Sequence, residues 1–416
     1  MRRAVILAVG GVTAVSGVLG VTAMTPGPDA TALPDAPART VEYGGLRITV
    51  PKGWPVYRLD GDQRRCVRFD EHAVYLGTPS KEPDCPARVV GRTEAIHVTA
   101  LPAAERVKPD PRRRSARVAL SALKVAESAD HQMTLDLPRS GVRVTGVYGA
   151  DRELLERTLR TATSGPGSPP EPEEETEEEI ERTPRAWHEG PGFDTCTAPA
   201  QRTMRAWREA YSIANIYIGG AARGCAQPRL TKAWVKNVRA MGYRLIPTYV
   251  GPQAPCSKFR ARFGKDDAAD KGVLNADDAV AKARALGIPK GQPLYFDIEA
   301  YNRNDKGCRK AVLTFLHAWT ERLHELGYKS GVYSSVSSGI KDVAEAERVG
   351  GEDFTRPDAI WFARWDGRKR VHGLSYLPDD LWHPHRRIKQ YRGGHAEKHG
   401  GIKLHVDSNM VDGLVY

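Results

Sequence analysis

Residues 293–301 read Pro-Leu-Tyr-Phe-Asp-Ile-Glu-Ala-Tyr, PLYFDIEAY. At the two-residue period of a β-strand, Leu294, Phe296, Ile298 and Ala300 share one face. Tyr295, Asp297, Glu299 and Tyr301 share the other. An apolar back suits a helix-covered exterior. Two carboxylates between tyrosines suit a wet, hydrogen-bonded cavity, because an unsatisfied buried carboxylate is costly.

Working outward, comparable strands recur: GPGFDTC (190–196), ANIYIGG (214–220), YRLIPTYVG (243–251), YKSGVYSS (328–335), AIWFARWD (359–366), RIKQYRG (387–393) and KLHVDSNMV (403–411). Helix patterns lie between them. Asn275 is placed to cap one helix, with Asp277 and Asp278 in its first turn and Gly287 past its end. Another runs from Arg309 to Gly327 with Val312, Phe315, Leu316, Trp319, Leu323 and Leu326 on one face. This alternation predicts an α/β fold, a (β/α)8 TIM-type barrel over 187–416. A doubly wound sheet is the other reading, but no glycine-rich dinucleotide loop follows any strand.

Residues 164–186, rich in proline and glutamate, predict an extended acidic linker. Ahead of it, short alternating apolar runs and the amphipathic stretch DRELLERTLRTA predict a small, mostly antiparallel α+β domain at 40–163, whose role is not readable. PRRR at 111–114 reads as a solvated loop or an anion contact. The start, Arg2 and Arg3 before a small-residue apolar run ending Val21-Thr-Ala23, predicts a signal peptide over 1–23, with an uncleaved anchor as the other reading. No later stretch is apolar enough to span a membrane. The net charge of +11 understates the basicity of the remainder, since residues 171–181 alone hold eight glutamates. Such charge suits an anionic surface such as cell wall; no nucleic-acid motif accompanies it. Six cysteines without metal spacing favour disulfides and an oxidising compartment.

In a barrel, Asp297 and Glu299 look into the mouth, Asp194 ends strand one, and Asp407 lies on strand eight. Tyr217, Tyr249, Tyr333, Trp365 and Tyr391 fall near the ends of strands two, three, five, six and seven. Acids walled by aromatics point to a sugar site, because rings stack on pyranose faces and carboxylates handle protons and oxocarbenium charge. Asp194 and Asp407 could equally bond backbone at the rim, and the tyrosines could be core.

The motifs GFDTC, YFDIEAY, GVYSS, WFARWD, IKQY and VDSN resemble, in order, the glycoside-hydrolase-like domain of unknown function found in exported actinobacterial proteins. That domain is similar to the family 25 glycoside hydrolases, the Chalaropsis-type lysozymes. The resemblance implies cleavage of β-1,4 bonds in peptidoglycan or another cell-wall polysaccharide, without a cofactor or metal. It makes Glu299 the general acid and Asp297 the group orienting the substrate's N-acetyl group, the internal nucleophile of a retaining reaction. Asp194, Asp407, Tyr301 and Gln390 join the aromatics as substrate-binding residues. Where the family shows tryptophan before Gln-Tyr, this chain has Lys389, which exchanges an aromatic for a cation near the site. A protein that binds glycan in the same cleft without cutting it is the alternative. The resemblance places the protein outside the cell, wall-associated, and leaves its oligomeric state open.

Cys66 and Cys85 flank one predicted hairpin and are paired on that ground. Barrel order pairs Cys196 with Cys225 and Cys256 with Cys308 on the loops around the mouth, each worth about 3–4 kcal/mol by loop entropy. HAEKH (395–399) would space two histidines for a metal only on a helix, and its glycine flanks predict a loop.

Overall fold

In the computed structural model, residues 38–62, 64–106, 129–165, 187–349 and 354–416 are described, with the backbone of 116–117. The expected signal peptide, PRRR and nearly all of the expected linker lie outside these residues. Residues 37–416 form one compact unit.

Its N-terminal segment holds two sheets. Strands β1 (Ala38–Tyr43), β2 (Leu46–Pro51), β6 (Ala116–Arg117) and β9 (Thr163–Ser164) form an antiparallel sheet in the order β1-β2-β9-β6. Strands β3 (Val56–Arg58), β4 (Val74–Leu76), β5 (Ala95–Ala100), β7 (Gln132–Leu137) and β8 (Val142–Val147) form a mixed sheet in the order β3-β4-β5-β8-β7. Helix α1 (Arg152–Leu159) begins where Asp151 accepts from Leu154 N–H at 2.8 Å, and it buries Leu155 and Leu159 against the core of both sheets. The Cys66–Cys85 disulfide closes a loop around β4, whose pairing with both neighbours is parallel, so no hairpin lies there.

The later strands close into one barrel in chain order: β10 (Trp187–Asp194), β11 (Ile213–Gly219), β12 (Arg244–Tyr249), β13 (Pro293–Asp297), β14 (Lys329–Ser335), β15 (Ala359–Ala363), β16 (Arg387–His399) and β17 (Ile402–Leu414). Helices α2 (Gln201–Trp207), α3 (Lys232–Ala240), α4 (Ala268–Ala285), α5 (Lys306–Glu325) and α6 (Gly339–Val349) separate the first six. This is not the expected (β/α)8 barrel. Strands β10 to β16 are paired in parallel, but β17 runs antiparallel to both β16 and β10. Among the described residues no helix follows β15 or β16. The cause is local. Gly400 and Gly401, at φ +53° and +82°, turn the chain back at once, and antiparallel neighbours need no crossover helix. The same hairpin puts HAEKH on a strand rather than in a loop.

Alternation on β13 sorts its side chains. Leu294, Phe296 and Ile298 enter the core beneath the helices, with Phe296 fully buried against Phe315 and Trp319. Each such side chain contributes about 1.5–3 kcal/mol. Tyr295 joins Ile213, Ile246, Trp361 and Ile388 in a second core inside the barrel. Helix α4 starts earlier than expected, after Asp267. Asn275 therefore sits mid-helix, its side-chain amide donating to the Lys271 carbonyl at 2.7 Å.

The N-terminal segment is joined to the barrel by backbone bridges, Arg68 with Cys225 and Val90 with Arg223. Beneath them lies a buried ionic cluster. Asp130 meets Arg92, Lys282 Nζ at 2.8 Å and the Gly220 N–H at 2.8 Å, while Arg92 Nε donates to the Arg223 carbonyl at 2.7 Å.

Candidate active site

The mouth of the barrel collects the inward residues of strand ends. Asp297 closes β13, and Glu299 lies two residues beyond it, on chain held by the buried Gln253. Gln253 Nε2 donates to the Asp297 carbonyl at 2.9 Å, and its Oε1 accepts from Glu299 N–H at 2.7 Å. Both carboxylates then face one cation. Arg88 Nη2 lies 2.8 and 2.7 Å from the two Asp297 oxygens and 2.7 Å from Glu299 Oε1. The guanidinium carbon sits 4.3 Å above the Tyr333 ring, and Nη1 donates to the Tyr333 hydroxyl.

From Arg88 a relay of hydrogen bonds crosses the lumen. Tyr333 OH donates to Gln390 Oε1 at 3.0 Å, which also accepts from Trp365 Nε1 at 2.9 Å. Gln390 Nε2 donates to Asp194 at 3.2 Å and to Asp407 Oδ2 at 3.2 Å. Asp194 receives two further donors, Asn409 Nδ2 at 2.7 Å and Tyr217 OH at 3.2 Å.

Burial and charge set the protonation. Burial, then the neighbouring Asp407, raises the Asp194 carboxyl well above the carboxylate range, against the pull of Arg88. Asp297 is pushed up to about 7 by burial first; Arg88 opposes that rise and Glu299 adds to it. Arg88 itself stays charged, since the attraction of Asp297 and Glu299 outweighs its desolvation.

Eight of the residues expected at the site therefore share one network: Asp297, Glu299, Asp194, Asp407, Tyr217, Tyr333, Trp365 and Gln390. Three do not. Tyr249 turns outward, where its hydroxyl donates to Asp278 at 2.7 Å and its ring packs near Trp319. Its strand alternates about Ile246 and Thr248, which are the inward positions. Tyr301 lies past the end of β13 and loses the strand phase; its hydroxyl donates to Asp342 at 2.6 Å, although the residue borders the cleft. Tyr391 neighbours Gln390 and so faces away from the lumen, with Lys369 Nζ 5.7 Å from its ring centre. Lys389 faces away for the same reason: fully buried, it pairs with Asp366 at 2.7 Å and puts no cation in the mouth.

Residues 205–411 match the family model described as Rv2525c-like, glycoside hydrolase-like domain. The barrel is therefore a glycoside hydrolase-like domain of that family. Among curated proteins, none matches the chain. Solved structures similar to it include an uncharacterized B. stearothermophilus protein at 19% identity and TM-score 0.37, covering 54% of this chain and 99% of that one. The Mycobacterium tuberculosis Tat-secreted protein Rv2525c, in complex with L-tartrate, aligns at 17% identity and TM-score 0.34, with 50% and 89% covered. A family 25 glycosyl hydrolase from Bacillus anthracis aligns at 16% identity and TM-score 0.33, with 56% and 94% covered.

The glycoside hydrolase-like barrel opens into a cleft of about 850 Å³ bordered by Glu299, Trp365, Asp407, Phe259 and Lys258 on its own side. The opposite wall is Pro86, Ala87, Arg88 and Val90 of the N-terminal segment. Neither Arg88 nor Gln253 was expected from the sequence. Arg88 sits in CPARVVGR, where only the nearby Cys85 hints at a fixed loop; Gln253 has no motif at all. The three disulfides, Cys66–Cys85, Cys196–Cys225 and Cys256–Cys308, match the expected pairs, and the first two pack together beside the mouth. Among the described residues no group of three or more histidine, cysteine or acidic side chains is arranged to hold a metal ion.

Proposed function

We propose that the barrel is a glycosidase acting on β-1,4-linked cell-wall glycan such as peptidoglycan, by a substrate-assisted retaining route. The observation that carries this reading is the carboxylate pair. Asp297 and Glu299 bond the same nitrogen at 2.7 Å each, which bounds the gap between them. That gap is too small to hold the water of an inverting enzyme, whose carboxyl groups stand roughly 6.5–9.5 Å apart, and so supports retention. Glu299, one-quarter exposed and bordering the cleft, suits the role of protonating a leaving oxygen. Asp297, at 2% exposure, is the deeper one and suits the acetamido group of the sugar beneath. Trp365, two-thirds exposed beside the cleft, offers a face for a pyranose ring.

Three disulfides suit an oxidising compartment, and among the described residues no helix is long and apolar enough to cross a membrane. Export to the cell wall is the reading consistent with both. Binding of glycan without cleavage is the second reading, favoured by the cation already seated on both carboxylates.

The test is release of reducing ends from purified peptidoglycan by the full chain and by Glu299→Gln. Removing a general acid should cost about 10²–10⁴-fold in rate. Equal release by the two proteins would reject the hydrolase reading.

A further inference from the structure

We infer that Arg88 is an internal competitor for the carboxylate pair, through which the N-terminal segment holds the glycoside hydrolase-like site closed until substrate displaces its guanidinium. This rests on reading Asp297 and Glu299 as the glycan-facing acids. It adds that the chain carries its own occupant of their site.

Contact geometry comes first. A glycosidic oxygen must approach Glu299, and an acetamido group must approach Asp297. The positions they need are taken by Arg88 Nη2, at 2.7 to 2.8 Å from three of the four carboxylate oxygens. Charge points the same way. An oxocarbenium centre forming about 5 Å from a fixed guanidinium, at an effective dielectric of 20, would be slowed roughly 10²-fold. A catalytic centre for glycosides stabilises positive charge at that spot, and Arg88 supplies repulsion.

The arm is built to present this side chain. On one side Cys85 is tied to Cys66, and that disulfide packs on Cys196–Cys225. On the other, Gly91 N–H donates to the Ala222 carbonyl at 2.7 Å and Gly224 N–H to the Val89 carbonyl at 3.2 Å. Arg92, completely buried, anchors the strand just beyond. With both ends held, the backbone stays in place and the side chain is the moving part. Arg88 borders the 850 Å³ cleft, which has room for the guanidinium to rotate away from the acids. Its Nε is buried without a hydrogen-bond partner, so the seated position leaves one donor unsatisfied.

The experiment compares the full chain with Arg88→Ala and Arg88→Lys. It measures calorimetric affinity for a β-1,4-linked N-acetylglucosamine tetramer and release of reducing ends from peptidoglycan. Arg88→Ala should bind the tetramer about tenfold tighter or more and release ends at least tenfold faster, the gain vanishing when Glu299→Gln is added. Tighter binding without faster release would uphold the competitor and overturn the hydrolase reading instead. Unchanged or weaker binding by Arg88→Ala overturns the inference, whatever happens to cleavage, because Arg88 would then hold ligand. Should Arg88→Ala fail to fold, Arg88→Lys decides. Its single ammonium cannot span both carboxylates and Tyr333, so a gain of severalfold in affinity supports the competitor and no gain overturns it.

Discussion

The N-terminal segment sets two arginines against the barrel four residues apart, Arg88 at its mouth and Arg92 on its helix side, and they meet opposite surroundings. Arg92 enters a cluster where cations outnumber the acid they face. Asp130 is held by Arg92, Lys282 and Arg223, and although burial would raise its carboxyl, these cations drive it well below the usual range. Arg88 enters a cluster where acids outnumber the cation. Asp194 and Asp297 both stay raised, burial and neighbouring carboxylates outweighing one guanidinium. The first arrangement holds Asp130 ionised, although burial lowers the Arg92 guanidinium to about 10, and it fixes two parts of the chain together. The second raises the carboxyls of Asp194 and Asp297, which stability does not need. Burial is alike in the two places. The ratio of charges separates an anchor from a candidate site.

The largest stability effect should fall on the anchor. Asp130→Asn keeps an acceptor for the Gly220 N–H but strands the completely buried Arg92 beside Lys282. Breaking a buried pair in this way costs about 3–5 kcal/mol, measurable by denaturant unfolding. A loss under about 1 kcal/mol would mean the cluster is not the anchor and would break the comparison.

The pH dependence should sharpen it. Asp130 has a depressed carboxyl, so its contribution is present above about pH 4 and fades as pH falls through its folded value. Asp297 has a raised one. Its contribution is complete below about pH 4 and is lost as pH climbs through about 7. Asp194, raised by burial and Asp407, acts in the same direction. Thermal midpoints should therefore decline between pH 5 and 8 by the equivalent of a few kcal/mol at most. In Asp297→Asn that decline should shrink, and Glu299, Arg88, Tyr333 and Tyr217 remain as the charged and titratable groups facing the position. An unchanged slope in Asp297→Asn would place the titration elsewhere.

What could be read from the sequence followed from period two. PLYFDIEAY assigns Leu294, Phe296 and Ile298 to the helices and Asp297 to the lumen, as observed, because side-chain direction in a strand is local. Gly400-Gly401, the turn that reverses the last strand, reads from the sequence as a loop flank beside HAEKH rather than as a hairpin, and strand–helix alternation carried through it gives eight βα units. Strand limits also misled: Tyr301 keeps the phase of Glu299 only if the strand runs to 301, and it stops at Asp297. Arg88 was beyond reach for another reason. It comes from a different part of the chain, 209 residues before Asp297, and no local pattern encodes a contact of that span.

The smallest prediction concerns the tyrosines that the sequence could not tell apart. Tyr249 and Tyr333 both end barrel strands, yet one hydroxyl meets Asp278 under the helices and the other links Arg88 to Gln390. Tyr249→Phe removes one hydrogen bond to a carboxylate, a loss of about 1.5–3 kcal/mol at most and nearer 1 if water reaches Asp278. Glycan affinity and cleavage should not move. Tyr333→Phe keeps the ring beneath Arg88 but cuts the relay to Gln390, and it should change tetramer affinity while costing no more stability than its partner. If both variants left affinity alone, the relay would be structural packing. If Tyr249→Phe changed it, the wall between helical shell and lumen would not isolate the two tyrosines, and the charge ratio at the mouth could not be treated apart from Asp278.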